Sequence, residues 1–98
     1  MPKPSADAHH PEELTRLLHD CGQTHLRVRK RGGVLTIESG PDDDPWRHAR
    51  LRRETVHLWT LEMATGGAKW ERTPFRAQLD ELVEVLTDMF PWTIEPMD

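Results

Sequence analysis

A chain of 98 residues has room for one small domain with a modest core. With 36% hydrophobic and 31% charged residues, the composition argues against long disorder, and no apolar run approaches the ~20 residues that a membrane helix requires. The formal net charge is −4. Cys21 is the single cysteine, so an intramolecular disulfide is excluded and a reducing, cytoplasmic location is expected.

The first predicted element is a helix over residues 11–21. Pro11 suits the first helical position, and two glutamates follow it where the helix dipole favours negative charge. An apolar stripe at helical spacing then includes Cys21, whose thiol is expected to be buried. Residues 1–10 are predicted to be a flexible N-terminal arm, and residues 11–98 a single α+β domain.

Alternating polar and apolar residues predict a β-hairpin next. Its strands are residues 24–30 and 34–39, and the glycines at 32 and 33 form the tight turn. A loop rich in proline and aspartate separates the hairpin from a third strand, residues 46–53, in which alternation places Ala49 and Leu51 in the core.

A strongly apolar fourth strand is predicted over residues 55–63. The face with Trp59 is favoured as the core face, and the opposite face, with Val56 and Leu58, stays as the alternative. A short fifth strand over residues 69–72 is expected to bury Trp70.

The last predicted element is a second helix that begins at Thr73 and ends before Pro91. Thr73 is a suitable N-cap and Pro74 a suitable first residue. Apolar residues then recur at spacings of three and four as far as Phe90. The residues after Pro91 form a short tail, which is expected to tuck apolar side chains against the body.

Together these elements predict an α+β two-layer sandwich, in the order helix, antiparallel meander of four to five strands, helix, with both helices on one sheet face. This order resembles the topology of the double-stranded-RNA-binding domain. The second helix lacks a lysine-rich start, since it reads Thr73-Pro74-Phe75-Arg76 and is acidic overall, so the resemblance extends to topology alone.

The sheet face opposite the helices is expected to be exposed and mostly basic. Alternation places these residues on it: His25, Arg27, Arg29, Thr36, Glu38, His48, Arg50, Arg52 and Thr60. The candidate partner-binding residues are Arg27, Arg29, Arg50, Arg52 and an exposed Trp46. Arginine is favoured over lysine by ten to three in this chain, which suits bidentate recognition of carboxylate or phosphate.

No motif for catalysis or metal binding is recognised. The sequence has no nucleophile elbow and no phosphate-binding loop, and the aspartates at 42–44 lack the EF-hand pattern. His9, His10, His19 and Cys21 do not follow a zinc-binding spacing. We therefore expect neither enzymatic activity nor a metal or other cofactor.

These observations favour a non-catalytic accessory protein that binds another protein or itself, with no membrane contact. The alternative is a nucleic-acid-binding module that uses the basic sheet face.

Overall fold

A five-stranded antiparallel sheet forms the centre of the computed structural model, which describes residues 9–66 and 69–94. The strands lie side by side in chain order, which confirms the predicted α+β meander. The elements are α1 (His10–Asp20), β1 (Arg27–Arg31), β2 (Val34–Ser39), β3 (Trp46–Arg53), β4 (Trp59–Gly66), β5 (Lys69–Ala77), α2 (Leu79–Met89) and a 3₁₀ turn (Pro91–Thr93).

Both helices cover the same face of this sheet, as predicted. Each is amphipathic, and the apolar stripes of α1 and α2 join the inward side chains of the strands in one core. Its fully buried members include Leu14 of α1, Leu82 and Leu86 of α2, and Ile94 of the C-terminal tail. Ile94 therefore packs against the body as expected, whereas Trp92, in the 3₁₀ turn before it, is 64% exposed and does not.

The core face of β4 is the one that was favoured from the sequence. Trp59, Leu61 and Met63 are buried, whereas Val56 is 61% exposed. The strand begins at Trp59 and not at residue 55, because the backbone N–H groups of residues 54 and 55 both donate to the Leu58 carbonyl and close a loop there.

The predicted start of the second helix is wrong. Thr73 lies within β5, where its hydroxyl donates to the Leu61 carbonyl at 2.8 Å, and α2 begins six residues later. Pro74 is tolerated because β5 is an edge strand. Phe75 and Ala77 pack against the core two residues apart, which is strand spacing.

The expected burial of Cys21 is also wrong, since its thiol is exposed. Helix α1 ends one residue earlier, and Cys21 is its C-cap, so the side chain leaves the apolar stripe. Gly22 follows with a φ of +87°, which L side chains rarely adopt. Of the predicted N-terminal arm, residues 1–8 lie outside the described residues, and His10 belongs to α1.

Candidate functional site

Eight of the ten arginines lie on the sheet face opposite the helices. Strand alternation and the pairing register place them there together, and we call this surface the arginine face. Its arginines are Arg27, Arg29, Arg31, Arg47, Arg50, Arg52, Arg72 and Arg76.

A β-bulge between β2 and β3 determines which side chains reach the arginine face. Glu38 pairs with Arg47 and Ile37 pairs with Ala49, so His48 is an extra residue in β3. The His48 ring shares a 2.7 Å hydrogen bond with the Ser39 hydroxyl and is buried. The prediction that His48 is exposed on the basic face is therefore wrong, and the bulge is the reason.

His25 also lies elsewhere than predicted. It precedes β1, and its Nε2 lies 2.6 Å from the Ile94 carbonyl oxygen, so it ties the C-terminal tail to the body. A turn at residues 23–26, closed by a bond from the Leu26 N–H to the Gln23 carbonyl, delays the start of the strand.

The first buried carboxylate of the arginine face belongs to Glu38, which is only 1% exposed. Its Oε1 lies 3.3 Å from the Nε of Arg27 and 3.1 Å from the Nε of Arg29. The sequence predicted that Glu38 faces solvent. It is buried because the neighbouring arginines on β1 lie across it, which both screens and neutralises its charge.

A second carboxylate, that of Glu62, occupies the equivalent position between β3 and β4. Its Oε1 accepts a 2.6 Å hydrogen bond from the Nε of Arg50 and lies 3.5 Å from the Nε of Arg52. The Arg50 guanidinium also lies 4.5 Å from the centre of the Trp70 ring, a cation–π distance. Trp70 is thus half-buried on the arginine face, and its predicted place in the core is wrong.

A third carboxylate holds the β5 side of this surface. Glu54 Oε1 accepts hydrogen bonds from the Thr60 hydroxyl at 2.9 Å and from Arg72 at 3.0 Å. Thr60 was expected to be exposed, but it is buried beneath this contact. Three glutamates therefore fix the positions of five arginines, and no described element covers the face.

A cleft of about 350 Å³ opens on the arginine face. Among the described residues, Arg31 and Arg47 have no acidic partner. Both guanidinium groups are available to a ligand that carries a carboxylate or phosphate. The cleft is lined by Arg29, Arg31, Val34, Thr36, Glu38, Arg47, Arg50 and Trp70.

Four of the five candidate residues from the sequence come together on this face. Arg27, Arg29, Arg50 and Arg52 are all ion-paired to the two buried glutamates. The fifth, Trp46, is 37% exposed, packs over Gly40 and does not line the cleft, so its role in binding stays a prediction.

Sequence reasoning missed the residues that line the cleft without an internal partner. Arg31 follows Arg27 and Arg29 at the same spacing of two residues. The strand period alone therefore places it on the arginine face. Arg47 has no such signal, because strand alternation from Arg50 would place it on the other face.

The other reactive side chains of the described residues form no accessible catalytic group next to the cleft. Ser39 and His48 are hydrogen-bonded, but both are buried, so the hydroxyl is inaccessible to a substrate. Within the described residues, one group of three potential metal ligands occurs, His9, His10 and Glu13, at the start of α1. Neither described helix is long and apolar enough to cross a membrane.

No known protein family, curated protein or solved structure matches this chain.

Proposed function

We propose that the protein is a non-catalytic interaction module that binds an acidic segment of a partner protein through the arginine face. The observation that carries the proposal is the cleft, in which Arg31 and Arg47 lack an acidic partner among the described residues and lie beside arginines held by buried glutamates.

Charge supports an acidic partner. The eight arginines of this face are opposed by Glu38, Glu54, Glu62 and the exposed Asp42, which lies 3.5 Å from Arg27. The surplus is four positive charges on a chain whose formal net charge is −4. A field of this polarity steers and orients a negatively charged partner as it approaches.

Order within the face supports specific recognition. A free arginine side chain loses rotamer entropy when a ligand immobilises it, at about 0.5–1.5 kcal/mol per side chain. Here Glu38 and Glu62 already hold four guanidinium groups, and Trp70 flanks one of them. The surface is therefore arranged before the partner arrives, as a specific interface requires.

The buried carboxylates favour a protein over a nucleic acid. A nucleic-acid backbone carries one phosphate at every step, and Glu38 and Glu62 oppose such a continuous negative charge. A protein segment can place isolated Asp or Glu side chains at Arg31 and Arg47 and neutral groups elsewhere. The alternative of a nucleic-acid-binding module draws on the same surplus of positive charge, and it predicts an affinity that falls steeply with salt.

A second copy of this chain also fits as the acidic partner, because α2 carries four exposed acids and no basic residue. They are Asp80, Glu81, Glu84 and Asp88.

Binding of a fluorescent glutamate-rich peptide, followed by anisotropy, tests the proposal. Arg31→Glu combined with Arg47→Glu is expected to weaken binding at least about tenfold, which is roughly 1.4 kcal/mol. Arg16→Glu is the matched control, since it reverses an exposed arginine on α1, on the other side of the sheet, and should leave affinity unchanged.

Equal affinity in the double variant and the control would contradict the proposal. Tighter binding to single-stranded DNA or RNA than to the peptide at physiological salt would favour the alternative. Light scattering after size exclusion distinguishes self-association, for which the mass rises with concentration.

The exposed free thiol of Cys21 suits a reducing compartment, and we place the module in the cytoplasm.

A further inference from the structure

Two imidazoles and a carboxylate, those of His9, His10 and Glu13, lie together at the first turn of α1. His9 and Glu13 are four residues apart, and His10 and Glu13 are three apart, so helical spacing makes them neighbours. His9 already has helical dihedral angles (φ −82°, ψ −17°), and the Glu13 N–H donates to its carbonyl at 3.0 Å. The backbone of this turn is therefore fixed by a hydrogen bond.

The three side chains converge closely enough to bind one ion. Their potential ligand atoms all lie within 4.8 Å of one another, and the two imidazole ring centres are 4.3 Å apart. Tetrahedral zinc has metal–ligand bonds of about 2.0–2.2 Å, which places donor atoms roughly 3.3 Å apart. Small side-chain rotations of His9 and Glu13, which are not fully buried, cover the difference.

We propose that His9, His10 and Glu13 form a site for a divalent transition-metal ion, with Zn²⁺ as the first candidate. Imidazole and carboxylate together suit Zn²⁺, Ni²⁺ and Cu²⁺, whereas Mg²⁺ and Ca²⁺ prefer oxygen ligands alone. A cleft of about 400 Å³ borders the site and leaves room for a water molecule as the fourth ligand. This site is separate from the arginine face.

His10 is the anchor of the site. It is only 8% exposed, and its ring meets the Trp59 ring edge-on, with centres 5.1 Å apart. Packing of this kind holds a ligating ring in one orientation, which raises metal affinity. The helix dipole and Arg16, which lines the same cleft, oppose a cation at this end. The exposed carboxylate of Glu12, also in the lining, offsets part of that opposition.

The spacing of these three residues in the sequence does not match a recognised zinc-binding pattern. Pairing the histidines with His19 and Cys21 gave no recognised spacing, whereas His-His-x-x-Glu becomes a cluster only once the helix is extended back to His9.

Calorimetric titration of the untagged protein with ZnCl₂ tests the site. We expect one ion per chain, with His9→Gln and Glu13→Gln each weakening the affinity at least about tenfold. His19→Gln is the control, because it removes an exposed imidazole from the same helix, and it should leave the affinity unchanged. No binding at roughly 100 µM Zn²⁺, or unchanged affinity in both His9→Gln and Glu13→Gln, would overturn the proposal.

A second measurement reports on His10 without altering it. Ni²⁺ bound at the site lies next to Trp59 and is expected to quench its fluorescence, with the same midpoint as the calorimetric titration. In Trp59→Phe the saturable quenching should disappear while Ni²⁺ still binds. Quenching that persists in this variant would place the ion elsewhere and contradict the assignment.

Discussion

Replacement of Glu62 by glutamine tests whether the buried carboxylates hold the arginine face together. Glutamine keeps the shape of the side chain and one oxygen acceptor, but it removes the charge that Arg50 and Arg52 share. The Glu62 side chain is 9% exposed, and those of the two arginines are 22% and 34% exposed. The ion pair therefore lies between a surface pair and a buried one.

That intermediate burial sets the size of the effect. An exposed ion pair contributes about 0–1 kcal/mol, and breaking a fully buried one costs about 3–5 kcal/mol. For Glu62→Gln we expect a loss of about 1–2 kcal/mol in the free energy of unfolding, because Arg50 loses a charged acceptor at 2.6 Å but keeps contact with solvent and Trp70. In a domain of this length each kcal/mol lowers Tm by roughly 4–8 °C.

Urea unfolding followed by circular dichroism gives the measurement, and a double-mutant cycle with Arg50→Met isolates the pair. A coupling energy of about 1 kcal/mol that decreases at high salt is the expected result. A stability equal to that of the unchanged protein, or a coupling energy near zero, would refute the reasoning that Glu62 fixes the arginines.

Three further predictions concern local structure. Gly40→Ala should lower the free energy of unfolding by about 2 kcal/mol or more and shift the Trp46 emission, because φ is +83° and a Cβ there would lie 2.8 Å from the Trp46 ring. Gly22→Ala is the control, because φ is +87° but the space around it is open. It should lower the free energy of unfolding, measured in urea, by only about 1–2 kcal/mol. Gln78→Ser should raise stability by about 0.5–1 kcal/mol, because the N-cap of α2 has no side-chain hydrogen bond, and unchanged or lower stability would argue against this cap. Cys21 should react fully with Ellman's reagent under native conditions, at a rate within about tenfold of the rate in denaturant. Strong protection from the reagent in the folded protein would contradict the exposure of this thiol.

Most of the fold could be predicted from the period-two alternation of polar and apolar residues. This alternation gave β2 and β3 at their observed bounds and the correct core face of β4, and the amphipathic stripes of the helices required a shared apolar sheet face. Local signals failed where two structures compete for the same residues. Thr73-Pro74 is a good helix start and also a tolerable edge-strand segment, and only pairing with β4 decides between them.

The candidate site was half predictable for a similar reason. Alternation placed Arg27, Arg29, Arg50 and Arg52 on one face, but the burial of Glu38 depends on arginines of a neighbouring strand that lie over it. The position of Arg47 depends on a bulge, and that of Trp70 on the register of β5. Contacts between distant segments determine these features, and no local pattern encodes them.

The proposed binding surface on the arginine face is centred on Arg31, Arg47 and Trp70. Two-dimensional ¹⁵N NMR during titration with a glutamate-rich peptide tests it directly, because arginine Nε–H and tryptophan indole N–H groups give their own resonances. We predict saturable shifts of the Arg31, Arg47 and Trp70 side-chain signals, while those of Arg16 and Trp92 stay in place. Saturable shifts confined to the helices, or no shifts at all, would contradict the claim.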